Sequence, residues 1–257
     1  MLSFLLFVFV VVLGYLSGSV CSAVIVSRLF SLPDPRTEGS QNPGATNVLR
    51  LAGKKYAVIV LLCDVLKGLF PVLIAKLLHA GPAAISFTCL AAVLGHMYPI
   101  FFGFKGGKGV ATAIGAFLGL HFVMGVVVIA TWLLVANFTR YSSLASIISI
   151  LLAPLYALLS LGNLDTFPPL FFIALFVLYK HRDNITRLID GEEPKLHFGR
   201  SNLKNMTEEI LTETAEFSSR DSEGEEEARP AIPDNVTEIK PQRPAKTRKP
   251  KPTQPQP

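Results

Sequence analysis

What limits this chain most is a succession of apolar runs over its first part, at 2–30, 57–78, 83–102, 110–137, 143–160 and 167–180, each bounded by Gly, Pro, Asn or charge. Half of the residues are apolar and 17% are charged, which lies outside the usual balance of a soluble domain. Backbone groups in hydrocarbon must be satisfied within the segment, and these runs lack the alternation of membrane strands, so they are expected to be helices. The fold class expected is an all-α integral membrane protein. Residues 1–196 would form one polytopic domain. Residues 197–257, acidic at 221–227 and then rich in Pro and Lys, would form a mostly disordered cytosolic tail, apart from a frayed amphipathic helix over 201–217.

No Lys or Arg precedes the first run, so it reads as a retained span instead of a cleaved signal. Cys21, Cys63 and Cys89 sit in apolar surroundings without metal-ligand spacing and read as buried reduced thiols. Asp64 and Lys67, three apart in the second run, are expected to pair on one helix face that points into the bundle.

Basic residues set the sidedness. Arg36, Arg50, Lys54 and Lys55 mark the first loop as cytoplasmic; Lys105 and Lys108, then Arg140, Lys180, Arg182 and Arg187, continue the bias. Lys76 falls on the other side and reads as a snorkelling lysine. For the three polar blocks to share a face, an even number of crossings must separate Lys108 from Lys180, yet only three apolar runs lie there. A single helix over 110–137 would be roughly 42 Å long, against a hydrocarbon core of about 30 Å. Two short helices turning near Gly119–His121 would supply the missing crossing and give about seven membrane helices, with the N-terminus outside and the C-terminus in the cytosol. One tilted helix with a re-entrant segment elsewhere is the alternative.

The polar blocks carry the chemistry. In 38–50, EGSQNPGATNVLR, glycine and proline impose turns, Ser40, Asn42, Thr46 and Asn47 offer short donors to a phosphate oxygen, and Arg50 offers a bidentate fork. The block GFKGGKG at 103–109 places glycine backbone and two lysines just before a helix, so the positive end of a helix dipole points at the loop and an anion is expected there. It is not a Walker A motif, because no hydroxyl follows Lys108 to hold a metal. His96 reads as a structural hydrogen-bonder. On a helix continuing past 180, Lys180, Asn184 and Arg187 would share a face, so that Asn184 looks toward Lys180 or Arg187. The sequence contains no HxxxxD, GxSxG or HExxH.

Taken together, LPDPRTEGSQNPGATNVLR at 32–50, GHMYPIFFGFKGGKGVAT at 95–112 and HRDNITRLIDGEEPK at 181–195 resemble the bacterial membrane glycerol-3-phosphate acyltransferases that use acyl phosphate, the PlsY-type family. Gln41 departs from the pattern, which usually has glycine there. The resemblance implies transfer of an acyl group from acyl phosphate to the sn-1 hydroxyl of glycerol 3-phosphate, on the cytosolic side of a bacterial inner membrane. It implies that Ser40, Arg50, His181 and Asn184 act in catalysis, that Lys105, Gly106, Gly107, Lys108 and Gly109 seat phosphate, and that Glu193 supports the site, beside the phosphate donors Asn42, Thr46 and Asn47 and the structural His96 read from the residues themselves. Acyl phosphate, glycerol 3-phosphate and membrane lipids are the expected partners; nucleic acid, metal and cofactor are not expected. A transporter or channel for a phosphorylated anion and a prenyl-phosphate transferase are the rival readings, and His181 and a substrate phosphate oxygen are both open as proton acceptor.

Overall fold

The computed structural model describes residues 1–196, and the regular elements among them are all helical. The expectations for the tail fall outside these residues. In chain order the helices are α1 (Leu2–Gly18), α2 (Ser22–Leu29), α3 (Ala45–Ala52), α4 (Lys54–Leu77), α5 (Pro82–Met97), α6 (Val110–Leu120), α7 (Phe122–Thr139), α8 (Ser142–Leu161), α9 (Phe167–Lys180) and α10 (Arg182–Ile189). With α1 and α2 counted as one, five are long and apolar enough to cross a bilayer. Helix α6 is apolar but shorter.

The long run at 110–137 is two helices. At His121 the backbone is extended (φ −152°, ψ 114°), and its Nδ1 accepts the Met124 N–H at 3.3 Å as the cap of α7. The pair folds back on itself closely enough that a Cβ on Gly125 would come within 2.7 Å of the Leu118 backbone.

Small residues decide how the helices meet. Without a hydrophobic drive between helices in lipid, close backbone approach supplies the packing energy. Gly18 lies against the Ala92 backbone and Gly95 against that of Tyr15, which locks α1 to α5, while Gly68 and Gly115 bring α4 onto α6. Thr112, in the first turn of α6, touches Gly68, which lies about 20 Å along α4 from its Lys54 end. Helix α6 therefore starts deep in the bundle, and the glycine loop before it sits at the bottom of a depression. The central core around Met97, Phe117, Met124, Ile150 and Ile173 joins α5 to α9 behind that loop.

The first run breaks among its small polar residues, and two sequence expectations, for Lys76 and Cys63, need correction. The run at 2–30 is interrupted at 19–21, where Lys67 Nζ donates to the freed Val20 carbonyl at 2.7 Å and Ser17 Oγ to the Lys67 carbonyl at 2.7 Å. Lys76 does more than snorkel: its Nζ donates to the Gly119 and Leu120 carbonyls at 3.2 and 3.4 Å, satisfying the end of α6 where the helix stops in an apolar setting. Cys21 and Cys89 are buried, but Cys63 is exposed on the outer face of α4. The Asp64–Lys67 pair is present at 2.8 Å and buried, as read.

Candidate active site

Residues 30–44 form a turn-rich loop whose shape is fixed by Asn47, in the first turn of α3. This side chain, 1% exposed, accepts the Ser40 N–H at 3.0 Å and donates to the Pro35 and Glu38 carbonyls at 3.0 Å each. Its amide is thus consumed by the loop and is not free to donate to phosphate, contrary to the direct role assigned to it. The same clamp sets the Ser40 backbone at the rim of a cavity of about 990 Å³, whose wall also includes Asn42, Thr46 and Arg50. Gln41 takes a left-handed conformation, φ 56°. That conformation is the physical reason for glycine at this point of the motif.

The second block rises from the end of α5 through a short 3-10 turn, with Gly103 and Phe104 at φ 64° and 60°, and Gly109 at φ 84° opens α6. Helix α6 has no side-chain cap. Gly109, Val110 and Ala111 line the cavity, so the unpaired first N–H groups of the helix face its interior. Lys108 points the same way, whereas Lys105 is exposed and lies off the cavity wall. Gly107 is also off the wall: its N–H donates to the His96 carbonyl at 3.2 Å, and a Cβ there would overlap the His96 ring. Its glycine serves close approach and not a phosphate contact.

The third block does not continue α9 straight on. The helix stops at Lys180, His181 turns the chain, and α10 starts at Arg182. Asn184 consequently faces Lys108, not Lys180 or Arg187. Lys108 Nζ donates to Asn184 Oδ1, Asn184 Nδ2 donates to Glu193 Oε1 at 2.6 Å, and Arg187 Nε donates to Glu193 Oε2 at 2.8 Å. Lys180 instead rests over the Tyr98 ring, 4.9 Å from its centre.

Charge states follow from these contacts. Burial pushes the Lys108 ammonium down to about 8, assisted by Arg187 and Arg50 and opposed by Glu193 and Asp183. His181 is pushed down to about 4, chiefly by burial, although its contact with the Val177 carbonyl works against this. That carbonyl lies 2.8 Å from Nδ1 and can only accept. The proton therefore sits on Nδ1, and Nε2 carries a lone pair. Burial would raise the Glu193 carboxyl, but hydrogen bonds from its neighbours, Asn184 and Arg187 among them, hold it below its ordinary range.

A sequence profile of the glycerol-3-phosphate acyltransferase family matches residues 8–191. The chain belongs to this family. Among its relatives, a glycerol-3-phosphate acyltransferase of Legionella pneumophila (strain Corby) is 63% identical over 211 residues, 82% of this chain and 76% of the relative. One from Methylococcus capsulatus is 51% identical over 183 residues, 71% of this chain and 92% of the relative. Among solved structures, the crystal structure of PlsY, an integral membrane glycerol 3-phosphate acyltransferase, in its glycerol 3-phosphate form superposes with a TM-score of 0.71 at 41% identity, over 74% of this chain and 96% of that one. Its lysophosphatidic acid form gives 0.69 at 40%.

Within this acyltransferase the cavity also has walls that no polar block announced. Leu61, Leu62 and Val65 of α4 and Ile129, Trp132 and Leu133 of α7 flank α6 on either side. Leu62 is 54% and Leu133 56% exposed, so this apolar trough opens sideways from the bundle. Ser142, Ser143 and Ser146 of α8 complete the polar end; Trp132 Nε1 donates to Ser146 Oγ at 3.0 Å. Three serines within five positions of an otherwise apolar helix were a legible signal. The trough residues carried none, because apolar side chains facing lipid and facing a ligand look alike.

Proposed function

We propose that this acyltransferase moves a fatty acyl group from acyl phosphate to the sn-1 hydroxyl of glycerol 3-phosphate, releasing 1-acyl-sn-glycerol 3-phosphate and inorganic phosphate. The observation that carries this reading is one cavity with two characters. A cationic pole formed by Arg50, Lys108 and the α6 N-terminus adjoins an apolar trough between α4 and α7 that is open to the side. A donor with a phosphate head and an alkyl tail fits both parts at once. The phosphates lie against the pole and the chain runs along the trough into the bilayer.

The substrate hydroxyl oxygen attacks the acyl carbonyl carbon, a C–O ester bond forms, and the bond from that carbon to the phosphate oxygen breaks. Charge grows on the leaving phosphate, where the Lys108 ammonium and the unpaired α6 N–H groups oppose it. Ser40 and Arg50 hold the first loop side of the substrates, Asn42 and Thr46 add donors, and Gly106 and Gly109 let the backbone approach. His181 is neutral at physiological pH and offers its Nε2 lone pair to orient the hydroxyl. With its pKa near 4 it is a weaker base than a phosphate dianion, whose second pKa is about 6, so a substrate phosphate oxygen takes the proton. The cytosolic placement of this pole is supported by the basic residues of all three blocks, and the bacterial inner membrane is the compartment this implies.

The test incubates purified protein in lipid vesicles with acyl phosphate and labelled glycerol 3-phosphate. Expected are equimolar acylated product and phosphate, and their loss in Arg50→Ala and Ser40→Ala proteins that remain folded. No product from acyl phosphate, or turnover only with a thioester donor, would overturn the reading.

A further inference from the structure

Below the glycine loop lies a polar cluster that the transfer chemistry leaves unused. Asp64 on α4 is 1% exposed, and His96 on α5 and Lys67 on α4 are each 7% exposed. Asp64 and His96 both line the deep end of the cavity. Asp64 Oδ1 is 2.8 Å from Lys67 Nζ and 3.6 Å from His96 Nδ1. Neither Asp64 Oδ1 nor His96 Nδ1 has a hydrogen bond of its own. The carboxylate oxygen is shared between the Lys67 ammonium and the ring, whereas the buried His96 Nδ1 faces no other partner, and leaving that nitrogen unpaired is costly.

His96 holds the glycine loop in two ways. Its carbonyl accepts the Gly107 N–H at 3.2 Å, and its ring lies so close to Gly107 that any Cβ there would overlap Nε2. Gly106 rests on the same carbonyl and on Pro99. The next residue is Lys108, and the one after it opens α6. A shift of the His96 ring would therefore move the ammonium and the α6 N–H groups together. Lys67 ties the far end of the cluster to the bundle through the Val20 carbonyl at 2.7 Å.

We infer that Asp64, acting through His96, is a positioning residue: the pair sets the depth and orientation of the loop 106–109 and so the geometry of the phosphate site. The inference rests on the acyltransferase reading. Neither side chain reacts; Asp64 fixes the ring, and the ring fixes Gly107. A misplacement of about 1 Å in such a site is worth roughly 100-fold in rate.

The experiment is a mutant cycle read as kcat and KM for glycerol 3-phosphate in vesicles. His96→Ala and Gly107→Ala are each expected to lower kcat/KM by about 100-fold, with KM carrying most of the loss. Because the added methyl clashes only with the imidazole, the double variant is expected to fall no more than about threefold below the worse single one. For the other link, Asp64→Asn with Lys67→Met removes both charges together; it is expected to raise KM as His96→Ala does, and His96→Ala added to it is expected to do little more. Multiplicative losses, or an unchanged KM in folded His96→Ala or Asp64→Asn/Lys67→Met protein, would overturn the inference. So would failure of the latter to fold, which would assign Asp64 to the bundle and not to the loop. Unmodified protein assayed alongside separates the cases: if it makes no product the acyltransferase reading fails, and if it does while the variants match it, only this inference fails.

Discussion

The Lys108 ammonium donates to the Asn184 amide oxygen across 76 residues of sequence, joining the glycine loop to the helix that follows the last span. Asn184 is in turn held by Glu193 at 2.6 Å, and Glu193 by Arg187 at 2.8 Å. The cavity-lining lysine is thus aimed by a chain of hydrogen bonds from the third block.

Removing the link should misdirect the lysine without unfolding the protein. Asn184→Ala is expected to reduce kcat/KM by about 100-fold or more. Asn184→Asp sets a second carboxylate beside Glu193 and a full charge beside Lys108, so it should weaken glycerol 3-phosphate binding while retaining the fold. Steady-state kinetics with thermal unfolding as a control check both outcomes.

The Lys108 value of about 8, reduced from 10.5, gives a pH dependence with a definite sign. Phosphate binding needs the ammonium, so KM for glycerol 3-phosphate should stay level below pH 8 and climb above it. Lys108→Arg, charged throughout, should lose that alkaline limb whatever its absolute rate. The same lowered value means that burying the charged form opposes folding below pH 8, and this opposition is relieved as pH rises from 8 toward 10.5. A KM–pH profile without an alkaline rise in the unmodified protein would contradict the assignment.

Gln41 occupies a left-handed position at φ 56°. For a residue with a side chain this conformation costs about 1 kcal/mol, which is largely offset against the greater unfolded-state freedom of glycine. Gln41→Gly is therefore expected to keep activity within about twofold and stability within ~1 kcal/mol. Gln41→Val, β-branched in the same conformation, should lower both; parallel melting curves and initial rates decide.

Lys76 caps the end of α6 at Gly119 and Leu120, at 3.2 and 3.4 Å. Lys76→Met leaves those carbonyls unpaired and is expected to destabilise the protein by ~1 kcal/mol. The kcat of the folded fraction should hardly change, because the lysine lies at the opposite end of α6 from the glycine loop. A large drop in kcat without a fall in melting temperature would contradict a purely structural role for Lys76.

Much of this could be read along the chain. The boundaries of α4, α8 and α9 follow the apolar runs, and the turn at His121 follows from the excess length of 110–137. That the loop at 106–109 stands at the cavity, with Gly106, Lys108 and Gly109 on its wall, follows from its glycines, its lysine and the helix behind it. What misled was local plausibility: Asn47 looked like a phosphate donor until the three bonds that consume its amide came into view. Asn184 looked toward its neighbours at helical spacing until the turn at His181 redirected it.

By itself the sequence determined the class of fold, most of the helix limits and the three polar blocks that meet in one cavity. These depend on run length, turn residues and charge, all of which act locally or against the bilayer as a whole. Tertiary structure alone decided that α6 starts deep in the bundle, that Lys108 meets Asn184, that Asp64 stands before His96, and that α4 and α7 leave a trough between them. The reason is physical: in a membrane the outside and the inside of a bundle are both apolar, so hydrophobic pattern does not tell one helix face from another. Only the fit of small residues such as Gly68 and Gly115 against a neighbouring backbone fixes which faces meet.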